Sequence, residues 1–219
     1  AGGVGAENIN SRFSRLDVYA CTTGILFYSA YQWTLVDSVL HYCSAQCVYL
    51  TNVVNQDHGD CLISGCEFDQ GVATGNCINQ VGVGGVRIIG NKFINAIVHW
   101  NVVPNGNPIN DAIFMGNSSE NASGHHIYLD GTNGVINNVV ITGNQIALGH
   151  DKNSVTGIRL TGDGVDSPIQ TVISDNTIWV RHTNQTAIAV TAGGVDSGAY
   201  CTIYVSNNNI YGDEFLCHI

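Results

Sequence analysis

The chain is poor in positive charge and has no long apolar run. Lysine and arginine total 7 against 17 aspartate and glutamate residues, so the formal net charge is −10 at pH 7. Nucleic acids and anionic membranes are therefore poor partners, and a polyanionic sugar would need a local basic patch or a bound cation to approach. No apolar run reaches the length of a membrane span, so no membrane insertion is expected.

Charge of either sign and proline are also scarce. Charged residues make up 11 % of the chain and hydrophobic residues 44 %, with 26 glycines but only 3 prolines. A disordered chain would carry more charge and less apolar surface. This composition predicts one domain with a long core, built from stacked sheets.

The eight cysteines lack the spacing of a zinc site and contain no CxxC pair. Cys43 and Cys47 stand four residues apart, but a coil of stacked strands explains this spacing without a metal. Cys61 and Cys201 fall in predicted strands, where cysteine packs as a small hydrophobic residue. We therefore predict that most cysteines are reduced core residues, and we expect neither a metal nor a cofactor.

What the chain does contain is a repeat. The segment Val139-Val140-Ile141-Thr142-Gly143-Asn144-Gln145-Ile146 recurs, most clearly at residues 62–68, 88–93, 172–178 and 204–210. The residue equivalent to Asn144 falls at positions 38, 66, 91, 117, 144, 176 and 208, which are 25 to 32 residues apart. A unit repeated at this period indicates a solenoid.

Each repeat reads as a strand, a sharp corner and a second strand. Asn and Gly tolerate the left-handed backbone that such a corner needs, and stacked Asn side chains can form a hydrogen-bonded ladder. At position 66 a cysteine, Cys66, replaces the corner Asn. The Ile, Val and Phe side chains of the repeat would fill the interior.

This pattern closely resembles the repeat of right-handed parallel β-helices of the pectate-lyase-like superfamily, over about residues 13–215. The resemblance implies an all-β, single-stranded right-handed parallel β-helix of about seven to eight coils. Residues 1–12 lack the repeat and are interpreted as an N-terminal linker or cap, and residues 13–219 as the β-helix domain. Because one such fold hosts many activities, function must be argued from the site.

A second strand recurs between the corners, and its alternation predicts which side chains face outward. Its second and fourth residues are large and apolar, so its third residue is predicted to point out. The third residues are Leu26, Tyr49, Asn79, His99, Tyr128, Arg159 and Ala189. Two positions further on lie Tyr28, Thr51, Val81, Asn101, Asp130, Thr161 and Thr191. Long connections at 101–111, 130–138 and 161–171 gather around the same coils.

One cluster in this stripe combines a base, a proton donor, a carboxylate and a cation. The candidate catalytic residues are His99, Tyr128, Arg159 and Asp130. The candidate substrate-binding residues are Tyr49, Asn79, His126 and Asn101. Neighbouring coils lie about 4.8 Å apart, so these side chains are predicted to reach one sugar unit or its neighbours. Trp33, Trp100 and Trp179 are interpreted first as core or sheet-packing residues and second as sugar-stacking platforms.

Two reactions fit this cluster. In β-elimination from a uronic-acid polymer, Arg159 would neutralise the carboxylate while His99 or Tyr128 removes the C5 proton. In hydrolysis, Asp130 would pair with Asp111, Asp163 or Asp166. The chain has neither the paired Asp and Gly-His-Gly pattern of polygalacturonases nor the calcium-site aspartates of pectate lyases. No catalytic residue therefore carries over from those families.

Irregular coil length, long loops on one face and low charge resemble the bodies of phage tailspikes. That resemblance implies a homotrimer on a virion tail, or an extracellular protein, that binds a host surface polysaccharide, with or without cleaving it. Two alternatives stay open: a free-standing polysaccharide lyase or glycoside hydrolase, and a non-catalytic structural or adhesive β-helix whose stripe is a subunit interface.

Overall fold

The computed structural model describes residues 10–28, 32–52, 60–71, 75–149, 154–162, 169–192 and 202–212. Within these ranges the chain forms 24 strands and no helix, so no helix that could span a membrane is present in them. The strands form three parallel sheets, which we call sheets A, B and C. The predictions for residues 1–9, for the 163–168 part of the long connections, and for Cys201 lie outside the described residues.

The chain visits the three sheets in turn, with one strand from each per coil except where β13 and β14 of one coil both join sheet A. Sheet A contains β1 (Arg12–Ser14), β4 (Thr34–Val36), β7 (Cys61–Ser64), β10 (Val86–Ile89), β13 (Ile109–Asn110), β14 (Ile113–Met115), β17 (Ile136–Thr142), β20 (Ile169–Ser174) and β23 (Thr202–Ser206). Sheet B contains β2 (Asp17–Tyr19), β5 (Val39–His41), β8 (Glu67–Asp69), β11 (Lys92–Ile94), β15 (Ser118–Glu120), β18 (Gln145–Ala147), β21 (Thr177–Val180) and β24 (Asn209–Gly212). Sheet C contains β3 (Thr23–Tyr28), β6 (Gln46–Thr51), β9 (Asn76–Val81), β12 (Val98–Val103), β16 (His125–Gly131), β19 (Thr156–Gly162) and β22 (Thr186–Ala192).

Every strand pairs in parallel with its equivalent one coil away, so the predicted right-handed parallel β-helix is confirmed. Such a coil buries one face of each strand and leaves the other outside, because successive side chains point to opposite faces. Sheet A, for example, stacks a fully buried row of Leu35, Ile63, Ile88, Phe114, Ile141 and Ile173 in register.

Aromatic rings continue this stacking through the interior. Phe68, Phe93 and Phe114 stack with ring centroids 5.1 and 5.4 Å apart, and Trp100 lies on Phe114 at 5.2 Å. Trp33 and Trp100 are fully buried, as predicted. Trp179 is only half-buried, because it alternates with the inward Ile178 and lies on the outer face of sheet B. Of its two first interpretations, core or sheet-packing residue, the core one is therefore wrong.

The corner between sheets A and B carries the predicted ladder. The amide of Asn117 donates to the Ile88 carbonyl (3.0 Å) and to Asn144 Oδ1 (3.1 Å), and its Oδ1 accepts from the Asn91 backbone N–H (2.8 Å). The same contacts recur at Asn91, Asn144 and Asn176. The residue just before each ladder position has a positive φ, and it is Gly65, Gly90, Gly116, Gly143, Asp37, Asp175 or Asn207. These are residues that adopt the left-handed region most readily.

Cys66 takes the place of an asparagine in this ladder, as predicted. Its thiol donates to the Leu35 carbonyl at 3.7 Å, while its backbone N–H donates to Asn91 Oδ1 at 2.9 Å. The six cysteines within the described ranges are free thiols, and all except the half-buried Cys21 are buried. Burial raises the pKa of the Cys61 thiol to about 12, so this thiol stays protonated.

The connection from sheet C to sheet A after β12 is shorter than predicted. The strand continues to Val103, and only residues 104–108 separate it from the short β13. This longer strand changes which residue of β12 faces outward, and that change decides the composition of the candidate site.

Candidate functional site

The outer face of sheet C presents one row of side chains on successive coils. We define the outer row as Leu26, Tyr49, Asn79, Asn101, Tyr128, Arg159 and Ala189, which are paired across adjacent strands. From Tyr49 to Ala189 these residues are half-buried, whereas Leu26 is 56 % exposed. The row therefore crosses seven coils on a surface accessible to solvent.

His99 does not belong to this row, and its predicted outward orientation is wrong. Asn101, two residues later, pairs with both Asn79 and Tyr128, while Trp100 pairs with the buried Ile78 and Ile127. The repeat in β12 is therefore Trp100-Asn101-Val102, and Val98-His99 lies at the bend that precedes it. The side chain of His99 is completely buried.

His126 is buried for the same reason, and its predicted position beside a substrate is also wrong. It follows the bend into sheet C, and its side chain points into the core. His99 Nδ1 and His126 Nδ1 lie 2.5 and 2.7 Å from the hydroxyl of Ser119, which takes a position filled by Phe93 and Ile146 in neighbouring coils. The small serine leaves room for two imidazoles. We call this group the buried histidine pair.

Burial dominates the electrostatics of this pair. Desolvation lowers the pKa of His99 to about 3, and desolvation together with His99 and His125 lowers the pKa of His126 well below its usual value. The two rings meet edge to face at 4.9 Å, and the Nε2 atom of each is buried without a hydrogen-bond partner. Two neutral imidazoles inside the core cannot act on a polymer outside it.

The sequence held a signal for this burial. The residues at the equivalent bend of other coils are Gly24, Cys47, Cys77, Gly157 and Ala187, all small or cysteine, and all but the half-buried Gly24 are buried. A row of this composition indicates an inward position, and it marks His99 and His126 as core residues.

His125 is the histidine of this region that lies beside the outer row. Its ring is 5.1 Å from the ring of Tyr128, and its side chain is half-buried. Burial and the nearby positive charge of Arg159 lower the pKa of His125, so it is neutral at neutral pH. Its Nδ1 atom is buried without a hydrogen-bond partner. His125 was not among the predicted site residues, because alternation continued back across the bend predicts that His126, and not His125, points outward.

Tyr128 and Arg159 come together as predicted. The Arg159 guanidinium carbon lies 6.0 Å from the centre of the Tyr128 ring, within the range of a cation–π contact. Arg159 Nε also donates to Thr161 Oγ1 at 3.4 Å. His125, Tyr128 and Arg159 thus form a compact group of two rings and one cation, which we call the Tyr128 cluster.

The amides of Asn79 and Asn101 continue the row beside this cluster. Asn101 Nδ2 donates to Asn79 Oδ1 at 2.8 Å, which orients both amides along the coil stack. The alternation read from the sequence predicted Asn101 in the row of Val81, two positions beyond the row of Asn79. In the structure Val103 lies opposite Val81, and Asn101 lies opposite Asn79. Tyr49 occupies the next coil, as predicted. The face therefore offers amide donors and acceptors next to aromatic rings.

Asp130 lies two residues beyond Tyr128 on the same face, but its carboxylate is already engaged. Its Oδ1 accepts hydrogen bonds from the Thr132 hydroxyl (2.7 Å) and backbone N–H (3.2 Å). Asp111 lies between β13 and β14 of sheet A, where its carboxylate accepts from Asn138. Asp163 and Asp166 lie outside the described residues. The structure therefore places no second carboxylate beside Asp130 in the part of the chain that it describes.

The fold and this face define a class of protein: a parallel β-helix with an aromatic, amide and guanidinium surface on one sheet. Comparison with protein-family models, with curated proteins and with solved structures finds no match to this chain. In the described ranges, no group of three or more His, Cys, Asp or Glu side chains is arranged to hold a metal. We therefore infer the function from the geometry of the outer face of sheet C.

Proposed function

We propose that this chain is a polysaccharide-binding β-helix, resembling the body of a phage tailspike, and that the glycan lies along the outer row of sheet C. The observation that carries this proposal is the continuity of the Tyr128 cluster with the Asn79–Asn101 amide pair on adjacent coils. Location on a virion tail or outside the cell, and assembly as a homotrimer, belong to the same proposal.

The chemistry of the row suits a sugar. A pyranose has an apolar C–H face, which an aromatic ring such as Tyr128 can cover, and an edge of hydroxyl groups that both donate and accept. Amide side chains supply both functions, and the half-buried His125 ring adds apolar surface beside Tyr128. The four coil steps from Tyr49 to Arg159 extend about 19 Å at about 4.8 Å per step, which accommodates a short oligosaccharide.

The geometry favours binding over hydrolysis. Hydrolysis needs two carboxylates flanking the scissile bond, and in the described part of the chain Asp130 has no second carboxylate beside it, while its own Oδ1 accepts from Thr132. The base predicted for β-elimination, His99, lies in the core and out of reach of a glycan.

A second candidate, β-elimination, has one observation in its favour. His125 is neutral and half-buried, and its ring lies beside Tyr128 with the charge of Arg159 close by. In this reaction Arg159 would pair with the uronate carboxylate and His125 or Tyr128 would take the C5 proton. The C4–O bond would then break as the C4–C5 double bond forms, and the leaving oxygen would be protonated.

The test is a binding assay with purified bacterial capsular polysaccharides and lipopolysaccharide glycans, using parent protein, Tyr128→Ala and Arg159→Ala. We expect either variant to weaken binding about tenfold or more, equivalent to about 1.4 kcal/mol. Tyr204→Ala is the matched control, because Tyr204 is 65 % exposed on sheet A and lies far from the row along the chain. Unchanged binding by both outer-row variants would refute the proposal.

The same samples distinguish the chemistry. Ultraviolet absorbance from an unsaturated uronate that disappears in Tyr128→Ala and in His125→Ala would establish β-elimination. New reducing ends without absorbance would establish hydrolysis. If no glycan binds, and light scattering shows a trimer that Tyr128→Ala dissociates, the outer row is instead a subunit interface.

A further inference from the structure

A second polar and aromatic surface lies on the outer face of sheet B. Its central row places Ile94, Glu120, Ala147, Trp179 and Tyr211 on successive coils in register. Ala147 is the smallest of these side chains and stands between Glu120 and Trp179. Because a methyl group separates two long side chains, the surface has a notch at this coil.

This notch is part of a cavity of about 320 Å³. Its lining includes Glu120, Asn121, Gln145, Ala147, Trp179 and Arg181. The volume is at the lower end of the range for small-molecule sites, and it matches a single ring-sized ligand better than an extended one.

Trp179 forms the aromatic wall of the cavity. It is the one half-buried tryptophan of the three in the chain, since Trp33 is 1 % and Trp100 0 % exposed. The Tyr211 ring lies nearly parallel to it, with centroids 6.3 Å apart and an angle of 19°. The two rings continue one platform from β21 to β24.

The turn that carries Arg181 is held in place, while the two charged side chains near Trp179 have no ion partner among the described residues. The turn that carries Arg181 is fixed by Gln185, whose Oε1 accepts from the backbone N–H of Arg181 (2.8 Å) and of His182 (3.2 Å). The Gln185 amide in turn donates to the Gly149 carbonyl at 2.8 Å. Neither Glu120 nor Arg181 forms a salt bridge within the described part of the chain. Their charged groups are therefore available to a ligand.

We propose that this cavity is a glycan-binding subsite that takes one neutral pyranose unit, stacked on Trp179 and hydrogen-bonded by Glu120, Gln145 and Arg181. A carboxylate accepts from sugar hydroxyls, a guanidinium donates to them and an amide does both. The proximity of Glu120 and the net charge of −10 disfavour phosphorylated or acidic ligands. The site lies on a different sheet from the Tyr128 cluster and stands whether or not that cluster binds a glycan.

Tryptophan fluorescence reports on this site directly, because Trp179 is the only tryptophan that a quencher in solution reaches readily. We would measure acrylamide quenching of the parent protein with maltohexaose, cellohexaose and chitohexaose as probes. At least one probe is expected to protect the fluorescence from acrylamide in a saturable manner.

Two matched variants locate the effect. Ala147→Leu fills the notch while leaving Trp179 in place, and we expect it to weaken protection at least tenfold. Ala189→Leu makes the same change at a half-buried position of the outer row of sheet C, and we expect protection to be unaltered. Arg181→Ala is expected to weaken protection severalfold.

Several outcomes would overturn this subsite. They are the absence of protection by all three probes at millimolar concentration, equal protection in Ala147→Leu and parent, and loss of protection in Tyr128→Ala. A concentration-dependent shielding of Trp179 without sugar, removed by Ala147→Leu, would make the cavity an interface between copies of the chain. Loss of polysaccharide binding in Tyr128→Ala alone tests only the site on sheet C, so the two proposals fail independently.

Discussion

At the scale of single residues, the corner asparagines have the clearest task. Asn117 satisfies two backbone groups of the preceding coil, the Ile88 carbonyl and the Asn91 N–H, and joins the amides of Asn91 and Asn144 while fully buried. A buried amide that is fully hydrogen-bonded contributes only modestly to the free energy of folding. Removing it costs more, because its former partners are then buried without a hydrogen bond. The ladder therefore contributes most where it is buried on both sides.

We predict that Asn117→Ala lowers the free energy of unfolding by about 2–4 kcal/mol, because it leaves the Ile88 carbonyl and the Asn91 N–H without partners. The measurement is urea denaturation followed by circular dichroism. Asn208→Ala makes the same change at the half-buried end of the described ladder, where water can replace the lost contacts. A loss in Asn208→Ala as large as that in Asn117→Ala would contradict this explanation.

At the scale of the element, β12 shows how strand phase separates core chemistry from surface chemistry. His99 and Asn101 both alternate with Trp100, yet His99 bonds to Ser119 inside and Asn101 bonds to Asn79 outside. The bend between sheets B and C accounts for this, because the first residues of the strand, including Val98 and His99, are all buried. Only the straight part of the strand from Trp100 onward alternates regularly.

We therefore predict that His99→Ala lowers stability by about 2–4 kcal/mol, through the cavity it leaves and the loss of one of the two hydrogen bonds of the Ser119 hydroxyl, with glycan affinity unchanged. Tyr128→Ala should do the opposite, with weaker glycan binding and a stability change below about 1 kcal/mol. Thermal unfolding and the binding assay, run on the same preparations, separate the two effects. Reduced glycan affinity in a fully folded His99→Ala protein would contradict this prediction, because it would mean that the buried His99 contributes to glycan binding.

At the scale of the whole molecule, the buried histidine pair makes stability depend on pH. In the unfolded chain both imidazoles titrate near 6.5, whereas in the folded protein the pKa of His99 is about 3 and that of His126 is also far lower than 6.5. Between these values the unfolded chain binds protons that the folded chain does not bind. The contribution of these two histidines to the free energy of unfolding is therefore fully present above pH 6.5 and is lost as the pH falls below it.

We predict that the free energy of unfolding decreases from pH 7 toward pH 4, by at most about 1.4 kcal/mol per pH unit for each buried histidine. His99→Phe removes one of the two groups and should reduce this slope. His41→Asn, on the outer face of sheet B, serves as the control. The measurement is the urea midpoint at several pH values. A slope that is the same in His99→Phe and in the parent would contradict the assignment.

The repeat and its corners could be predicted because they depend on local chemistry. Positive-φ residues such as Gly116 and ladder residues such as Asn117 recur at the corner between sheets A and B in most coils, so the sequence repeats them at a readable period. The apolar rows follow from the same alternation. Tyr49, Asn79, Tyr128, Arg159 and Asp130 were placed on the outer face of sheet C for this reason.

The small residues at the equivalent bends of other coils mark an inward position, but only the tertiary structure decided that two histidines fit there. His99 and His126 lie where the strand turns, and their inward orientation depends on the space left by Ser119 from another sheet. The exposure of Trp179 likewise depends on its phase in β21 and on the small Ala147 one coil away. The sequence by itself determined the coil and its ladder, since these require the same few residue types at one corner of successive coils. Packing between sheets decided which histidine lies beside the candidate face, because that depends on side chains far apart in the chain.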